Sequence, residues 1–396
     1  MLLRMGAMPT SDALPAAKPQ VLEFFAGMGL ARLGLEAAGF EVVWSNDYEA
    51  DKRALYEGHF RDAADGGGHT FVLGDVGQVA GAELPRGAAL AWASSPCTDL
   101  SLAGGRAGLA GRESGAFWQF TRLLGELGAD RPGVVVLENV VGLATSHGGA
   151  DLAAAVRAFN ALGYSVDVLA LDARRFVPQS RPRLFLVGAQ HPPPDSGAPS
   201  PELRPDWLRR PFEDPTLVTH QAALPEPPAL RSTGLTDLTE DLLAEDPRWW
   251  DVVRTQAFLD SLSPVQAARV RALQRAAGVS RRTAYRRTRR GVAVWEVRAD
   301  DISGCLRTAR GGSSKQAVVE LGGGQARVRW MTPREYARLM GADDYDLSGA
   351  RTNQALYGFG DAVAAPVVAW LATHYLRPLV EQTASRMTPQ VVGAAR

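Results

Sequence analysis

From Pro19 to about Gln190 the chain alternates short apolar runs with longer stretches whose apolar residues recur every three or four positions. The runs VLEFFAG, EVVWSND, TFVLGD, ALAWASS, GVVVLEN, YSVDVLAL and RLFLVGAQ predict strands. The stretches ARLGLEAAG, SGAFWQFTRLLGELG and ADLAAAVRAFNALG predict helices. Strand and helix in alternation imply an α/β fold with a doubly wound, mostly parallel sheet. The proline-rich HPPPDSGAPSPELRPDWLRRPFEDP then breaks the pattern. It resumes at Trp330 with TPREYARLMG, a helix capped by Thr332, with Pro333 in its first turn and Glu335 closing a capping box. APVVAWLATHYLRPLVEQ follows as a helix apolar enough to dock on the sheet.

This pattern divides the chain. Residues 1–18 form a loose tail, 19–194 the first part of the sheet domain, and 195–325 an inserted smaller module. Residues 326–381 return to the first domain, and 382–396 form a second tail. The arginine-dense RVRALQRAAGVSRRTAYRRTRRG in the module carries no acid, and GVSRRTAYRR resembles the turn of a helix-turn-helix.

Composition narrows the picture a little. The two cysteines, Cys97 and Cys305, provide neither a disulfide framework nor a metal-ligand set, which suits a reducing interior. No metal site is expected. No stretch reaches the roughly 18 consecutive apolar residues of a membrane span, so no membrane partner is expected. Net charge is zero, so only its distribution can speak about nucleic acid. Lysine occurs only at Lys18, Lys52 and Lys315, and arginine supplies the other basic positions.

The candidate chemistry lies at strand ends. Phe25-Ala26-Gly27-Met28-Gly29 turns a strand into a helix; glycines there let a ligand approach the backbone. Asp47 and Asp75 end the next two strands, and an acid at such a place can bind ribose hydroxyls. The third glycine of a dinucleotide fingerprint is missing, which favours a nucleoside without pyrophosphate. Cys97 follows Pro96 after another strand, ahead of the small-residue loop LSLAGGRAGLAGRESG. It reads either as a buried structural thiol or as a nucleophile. Glu138 sits at the end of an apolar strand, where a carboxylate is costly unless paired or used. Gln179, Arg181 and Arg183 alternate and so face one way.

Taken together, FAGMG, PCTDLS, ENV, QSRPR, RWMTPREYARLMG and YGFGDAVAAPV resemble, in order and spacing, the motifs of the DNA (cytosine-5) methyltransferases. The resemblance covers almost all of the chain outside the inserted module. It implies an S-adenosylmethionine-dependent enzyme acting on double-stranded DNA, monomeric and cytoplasmic, of bacterial or phage origin. A cognate restriction endonuclease is a partner it leaves open. By the same implication Phe25, Gly27, Met28 and Gly29 line the cofactor site with Asp47, Tyr48, Asp75, Val76, Pro96, Ala362 and Val363. Cys97 would be the nucleophile, Glu138 the acid at N3 of cytosine, Arg183 the contact to O2, and Arg181 a residue positioning the ring or a phosphate. Ser101, Gln179, Thr308, Gly311 and Gly312 would meet DNA, as would Arg286 and Arg287 in a target-recognition domain over 195–325. The target base would be flipped out of the duplex. Four positions depart from the family pattern: Glu23 for Asp, Leu30 for Gly, Thr98 for Gln and Asp361 for Asn. Other readings of the same set are a tRNA cytosine-5 methyltransferase and a catalytically silent DNA-binding regulator.

Overall fold

The computed structural model describes residues 17–61, 68–96, 115–196, 200–289, 292–308 and 315–387. Its first unit is built on seven strands: β1 (Gln20–Phe24), β2 (Glu41–Asp47), β3 (Thr70–Leu73), β4 (Leu90–Ser94), β5 (Val134–Val140), β6 (Ser165–Asp172) and β7 (Pro182–Ala189). Their order is β3-β2-β1-β4-β5-β7-β6. The first five pair in parallel, and β7 runs antiparallel to both β5 and β6. The reversal puts the start of β7 beside the end of β5, with Val140 opposite Arg183.

The strand sequences are apolar throughout because both faces are covered. In β5, Val134 and Val136 face one core while Val135 and Leu137 face the other. The first core is closed by α1 (Leu30–Ala37) and by the C-terminal helices. Gly34 lets α1 approach closely: a Cβ there would lie 2.5 Å from Val368 Cβ. The second core is filled by α3 (Gly115–Glu126) and α4 (Ala150–Ala161) through Phe117, Phe120, Leu123 and Phe159. Between β2 and β3 lies α2 (Ala50–His59), which the periodicity did not single out.

The second unit is a four-stranded sheet, β11-β10-β8-β9, made of β8 (Ser280–Arg289), β9 (Val292–Val297), β10 (Ala317–Gly322) and β11 (Gln325–Trp330). Two helices, α5 (Val252–Asp260) and α6 (Pro264–Arg275), precede it. Its core is mainly aliphatic, with Leu262, Val270, Val297, Val319 and Val328, and an aromatic cluster packs against it: Trp250, Phe258, Trp295 and Trp330, with ring centroids 5.1–6.0 Å apart.

Three sequence expectations change here. SRRTAYRRTR is a strand, not part of a helix-turn-helix, because β-branched and aromatic neighbours in β9 and β10 give it sheet partners. The arginines are also not uncompensated. Arg281 pairs with Glu320 at 3.0 Å and Arg287 with Glu296 at 3.4 Å, acids supplied from distant sequence. Finally, the second sheet runs to Trp330, while Leu203, Leu208, Leu217, Ala222 and Leu235 belong to the cores of the first unit. The 195–325 boundaries therefore cut across both units.

The chain returns through α7 (Pro333–Leu339), α8 (Thr352–Asp361) and α9 (Ala365–Leu371). A wide helical turn at Ala372–Leu376 joins α9 to α10 (Arg377–Met387). The expected capping box is present: Thr332 accepts from the Glu335 N–H, and Glu335 accepts from the Thr332 N–H at 2.8 Å. Glu335 also meets the fully buried Arg329 of β11 at 2.8 Å, so one carboxylate caps a helix and pins the second sheet to the first unit.

Candidate functional site

The parallel strands end on one edge, and the loop after β1 is contorted there. Gly27 and Gly29 have φ of 57° and 83°. Phe25 also has φ 57°, a left-handed conformation that side chains rarely take and that costs about 1–3 kcal/mol. Gly29 is required sterically as well, since a Cβ would lie 2.4 Å from the Phe60 ring. The Gly27 N–H donates to Asp47 Oδ2 at 2.9 Å, tying the loop to the end of β2. The other Asp47 oxygen accepts from the Glu49 N–H at 2.9 Å. Burial raises the Asp47 carboxyl above its usual value, against the pull of Lys52 and these two N–H bonds.

Beside this loop are surfaces that fit a nucleoside. Phe25 is half-buried, and Tyr48 is 53% exposed at the end of β2. Asp75 is exposed at the end of β3, with one oxygen accepting from the Gly77 N–H at 2.8 Å. Val76 is buried next to it. Ala362 and the buried Val363 follow α8. Met28 is different. Its side chain is fully buried, the Tyr345 hydroxyl donates to its carbonyl at 2.6 Å, and a Cβ on Gly358 would touch its sulfur at 2.7 Å. Its side chain belongs to the core.

Further along the edge β4 ends at Ser94, followed by buried Ser95 and half-buried Pro96. Asn139 Nδ2 donates to the Ser95 carbonyl at 3.3 Å, anchoring the chain just before position 97. Cys97 itself, with Ser101, Gly311 and Gly312, lies outside the described residues. Glu138 lies on the neighbouring strand, opposite Ser94. Its Oε1 pairs with Arg183 Nε at 2.9 Å, with the two side chains 8% and 12% exposed. Burial raises the Glu138 carboxyl above its usual value, while Arg183, Arg181 and a hydrogen bond from Ser94 oppose the shift. The result is a carboxyl able to hold a proton beside a permanently charged guanidinium.

Gln179 and Arg181 are engaged with the backbone. Gln179 is fully buried; its Nε2 donates to the Leu339 carbonyl at 2.7 Å and its Oε1 accepts from the Leu306 N–H at 3.1 Å. Arg181 is buried too, donating to the carbonyls of Leu306 at 2.7 Å and Gly360 at 2.9 Å, and to that of Ala362. Both were expected to touch DNA or the reacting ring. In this structure they bracket the coil around Leu306, between β9 and β10, and Arg181 also holds the end of α8, because buried backbone groups there need partners. Cys305 lies in the same bracket, 3.3 Å from Arg181 Nη1. Burial would raise its thiol, but Arg181, Arg183 and Arg307 hold it below its usual value.

Thr308 directs its hydroxyl to Asp361, which also meets Lys52 at 3.1 Å. Arg286 is exposed, with no ion pair among the described residues, and Arg287 is half-exposed. Both lie on the part of β8 that pairs only with β9. Asn139, Lys52 and Cys305 were not singled out as site residues from the sequence. The asparagine was visible in ENV, but nothing local marked the other two.

The chain matches the family described as C-5 cytosine-specific DNA methylase over residues 20–377. The Type II methyltransferase M.HhaI of Haemophilus parahaemolyticus is 26% identical over 352 residues, 89% of this chain and 92% of that enzyme. The Type II methyltransferase M.Bsp6I of Bacillus sp. (strain RFL6) is 31% identical over 173 residues; the match spans 43% of this chain and about half, 51%, of that enzyme. The fold is shared with Dnmt2 methyltransferase of S. pombe, with a TM-score of 0.56 at 15% identity over 92% of this chain and 99% of that one.

Proposed function

Because the chain belongs to the C-5 cytosine-specific DNA methylase family, whose methyl donor is S-adenosylmethionine, we propose that it methylates C5 of a cytosine flipped out of duplex DNA, through a covalent adduct to Cys97. The observation that supports this most directly is the Glu138–Arg183 pair at the strand edge, with Glu138 opposite Ser94, the last residue of the strand that leads toward Cys97.

C5 of cytosine is a weak nucleophile. In this reading the Cys97 thiolate adds to C6, forming an S–C bond and pushing charge toward N3. Glu138, a carboxyl disposed to hold its proton, delivers it to N3. Arg183 meets O2 and steadies Glu138. With C6 saturated, the C4=C5 enamine would present C5 as the nucleophile, and the bound donor would supply the electrophilic methyl. Loss of the C5 proton to a base then re-forms the C5=C6 bond and expels Cys97 as thiolate, while N3 returns its proton to Glu138. Glycine loop, Asp47 and Tyr48 hold the donor: Phe25 and Tyr48 offer faces to the adenine, and Asp47 and Asp75 offer carboxylates to ribose and adenine edge. Arg181 and Gln179 act as positioning residues, fixing the segment that carries Leu306 and the carbonyl of Ala362. The second sheet is the target-recognition unit, with Arg286 toward phosphate.

A duplex with 5-fluorocytosine at the target site tests this. Fluorine cannot leave as the proton does, so wild-type protein should form a denaturation-resistant adduct dependent on S-adenosylmethionine, and Cys97→Ala should form none. Methyl transfer to tRNA instead of DNA would favour the tRNA reading. Retained DNA methylation by Cys97→Ala would sink the covalent one.

A further inference from the structure

Trp92 of β4 is fully buried in the core, with its ring centroid 6.1 Å from that of Phe185. Its indole N–H donates to the Ser94 hydroxyl at 3.0 Å. Ser94 is the last residue of β4 and lies opposite Glu138 of β5, which in turn lies opposite Phe185 of β7. The Ser94 hydroxyl also hydrogen-bonds the Glu138 carboxylate. On the other side of that carboxylate, Arg183 Nε meets Oε1 at 2.9 Å. Glu138 is therefore gripped from β4 and from β7.

We propose that Trp92 and Ser94 form a relay that holds Glu138 in its working orientation, with Ser94 as a positioning residue for the acid. The inference rests on the role given to Glu138 above. An indole N–H can only donate, and a buried one needs an acceptor. A hydroxyl has one proton and two lone pairs. With one lone pair of Ser94 taken by Trp92, its proton is left to point at the carboxylate, which when ionised can only accept. The relay thus runs one way, from indole to hydroxyl to carboxylate. Tethered on two sides, the carboxylate stays at the strand edge where a ring would dock. A hydrogen bond to the charged form also favours that form. Ser94 therefore works with Arg183 and Arg181 against the burial that raises this carboxyl. The balance matters because the acid gives its proton to N3 and takes it back in each turnover. Among the described residues, the charged and titratable groups around Glu138 are Arg183 of β7, Arg181 just before it, and behind them Cys305 and Arg307. From β4 comes the uncharged Ser94. That strand leads on to Cys97, whose effect on rate against pH has the opposite sign because the thiolate is the reactive form.

Single-turnover methyl transfer by the full-length protein on duplex DNA, followed against pH, tests the relay. The readout is the limb over which the rate declines as Glu138 loses its proton. On the acid side of that limb Ser94→Ala should be slower by roughly three- to tenfold, the size of one net hydrogen bond. The limb itself should move to higher pH by up to about one unit, because the ionised carboxylate loses a donor. Ser94→Thr, which keeps the hydroxyl, should return both toward wild type. Trp92→Phe, which frees the hydroxyl to rotate, should move the limb the same way and less far. Should that core substitution not fold, the two Ser94 variants decide alone. Ser94→Ala added to Glu138→Gln should cost little beyond Glu138→Gln itself, since the group it acts through is gone. An unmoved limb in Ser94→Ala, or losses that add in the double variant, would overturn the relay. Wild-type protein without methyl transfer would instead overturn the function proposed above, and a limb that survives Glu138→Gln would overturn the role given to that acid.

Discussion

Glu138 and Glu23 are both buried acids, and their surroundings give them different work. Glu138 faces a guanidinium at 2.9 Å and an open edge, so its proton is available to a ligand. Glu138→Gln keeps the shape and removes the acid; kcat should fall by about 10²–10⁴ while donor affinity stays within roughly threefold. In wild type the raised carboxyl predicts a kcat that declines as pH rises through the folded pKa, above the ordinary value of a glutamate. The glutamine variant should lack that limb, and a limb that persists would assign it to another group. Glu23, by contrast, is sealed under the glycine loop, accepting from the Arg32 N–H at 3.2 Å and the Ser45 hydroxyl at 3.0 Å. Burial raises its carboxyl to about 7 from 4.5, against those bonds and the Arg32 charge. Protonated Glu23 therefore stabilises the native state below about pH 4.5, and that contribution is lost as pH rises to about 7. It is worth on the order of 3 kcal/mol. Denaturation midpoints of wild type relative to Glu23→Gln should fall across this window; parallel curves would contradict the shift. The sequence marked Glu138 because an acid after an apolar run is conspicuous. It could not show that Gln179 and Arg181 are consumed by the Leu306 backbone, since their partner lies more than 120 residues away.

At the scale of elements, local pattern carried far in the first unit and little in the second. Parallel strands buried on both faces announce themselves as apolar runs, and β1, β2 and β5 fall where those runs lie. The strand β8 does not: ten residues with five arginines have no period-two apolar face, and the partners that make it a strand, β9 and β10, arrive later in the chain. Since Arg281, Arg282 and Arg287 meet acids, only part of the run is available to phosphate. Arg286→Ala should thus reduce the slope of log affinity against log salt by about 0.9 on duplex DNA, whereas Arg281→Ala should leave the slope unchanged and lower stability instead. Equal slopes for wild type and Arg286→Ala would move the DNA contact elsewhere. The joint between the units is sharper still. Arg329 and Glu335 are both fully buried, and Arg329→Met would strand the Glu335 carboxylate. A loss of about 3–5 kcal/mol in unfolding free energy is expected, while Arg329→Met with Glu335→Gln should lose less. The sequence displayed Glu335 only as a cap, because its second partner comes from the other sheet.

The whole molecule is a sheet whose one face is finished by the last part of the chain. Val21, Trp92, Val134 and Val136 share a core with Met331, Tyr336, Leu339, Phe359, Val367, Val368 and Leu376. The second unit is thus spliced into a domain that cannot close until it has been passed. That closure also delivers chemistry: Asp361, Ala362 and Val363 reach the glycine loop only from the C-terminal side, and Tyr345 reaches across to donate to the Met28 carbonyl at 2.6 Å and the Leu55 carbonyl at 2.9 Å. The return was legible from Thr332-Pro333-x-Glu335 and from an apolar helix with no sheet of its own, whereas the crossing bonds of Tyr345 were not, because backbone carbonyls carry no sequence mark. A chain ending before Trp330 would expose the apolar face of β1, β4 and β5 and leave the glycine loop without its support. Such a fragment should aggregate or elute as large species in gel filtration, and any soluble portion should show no calorimetric binding of S-adenosylmethionine. A monodisperse fragment with a cooperative melt and wild-type donor affinity would mean that the return segment decorates the first unit rather than completing it.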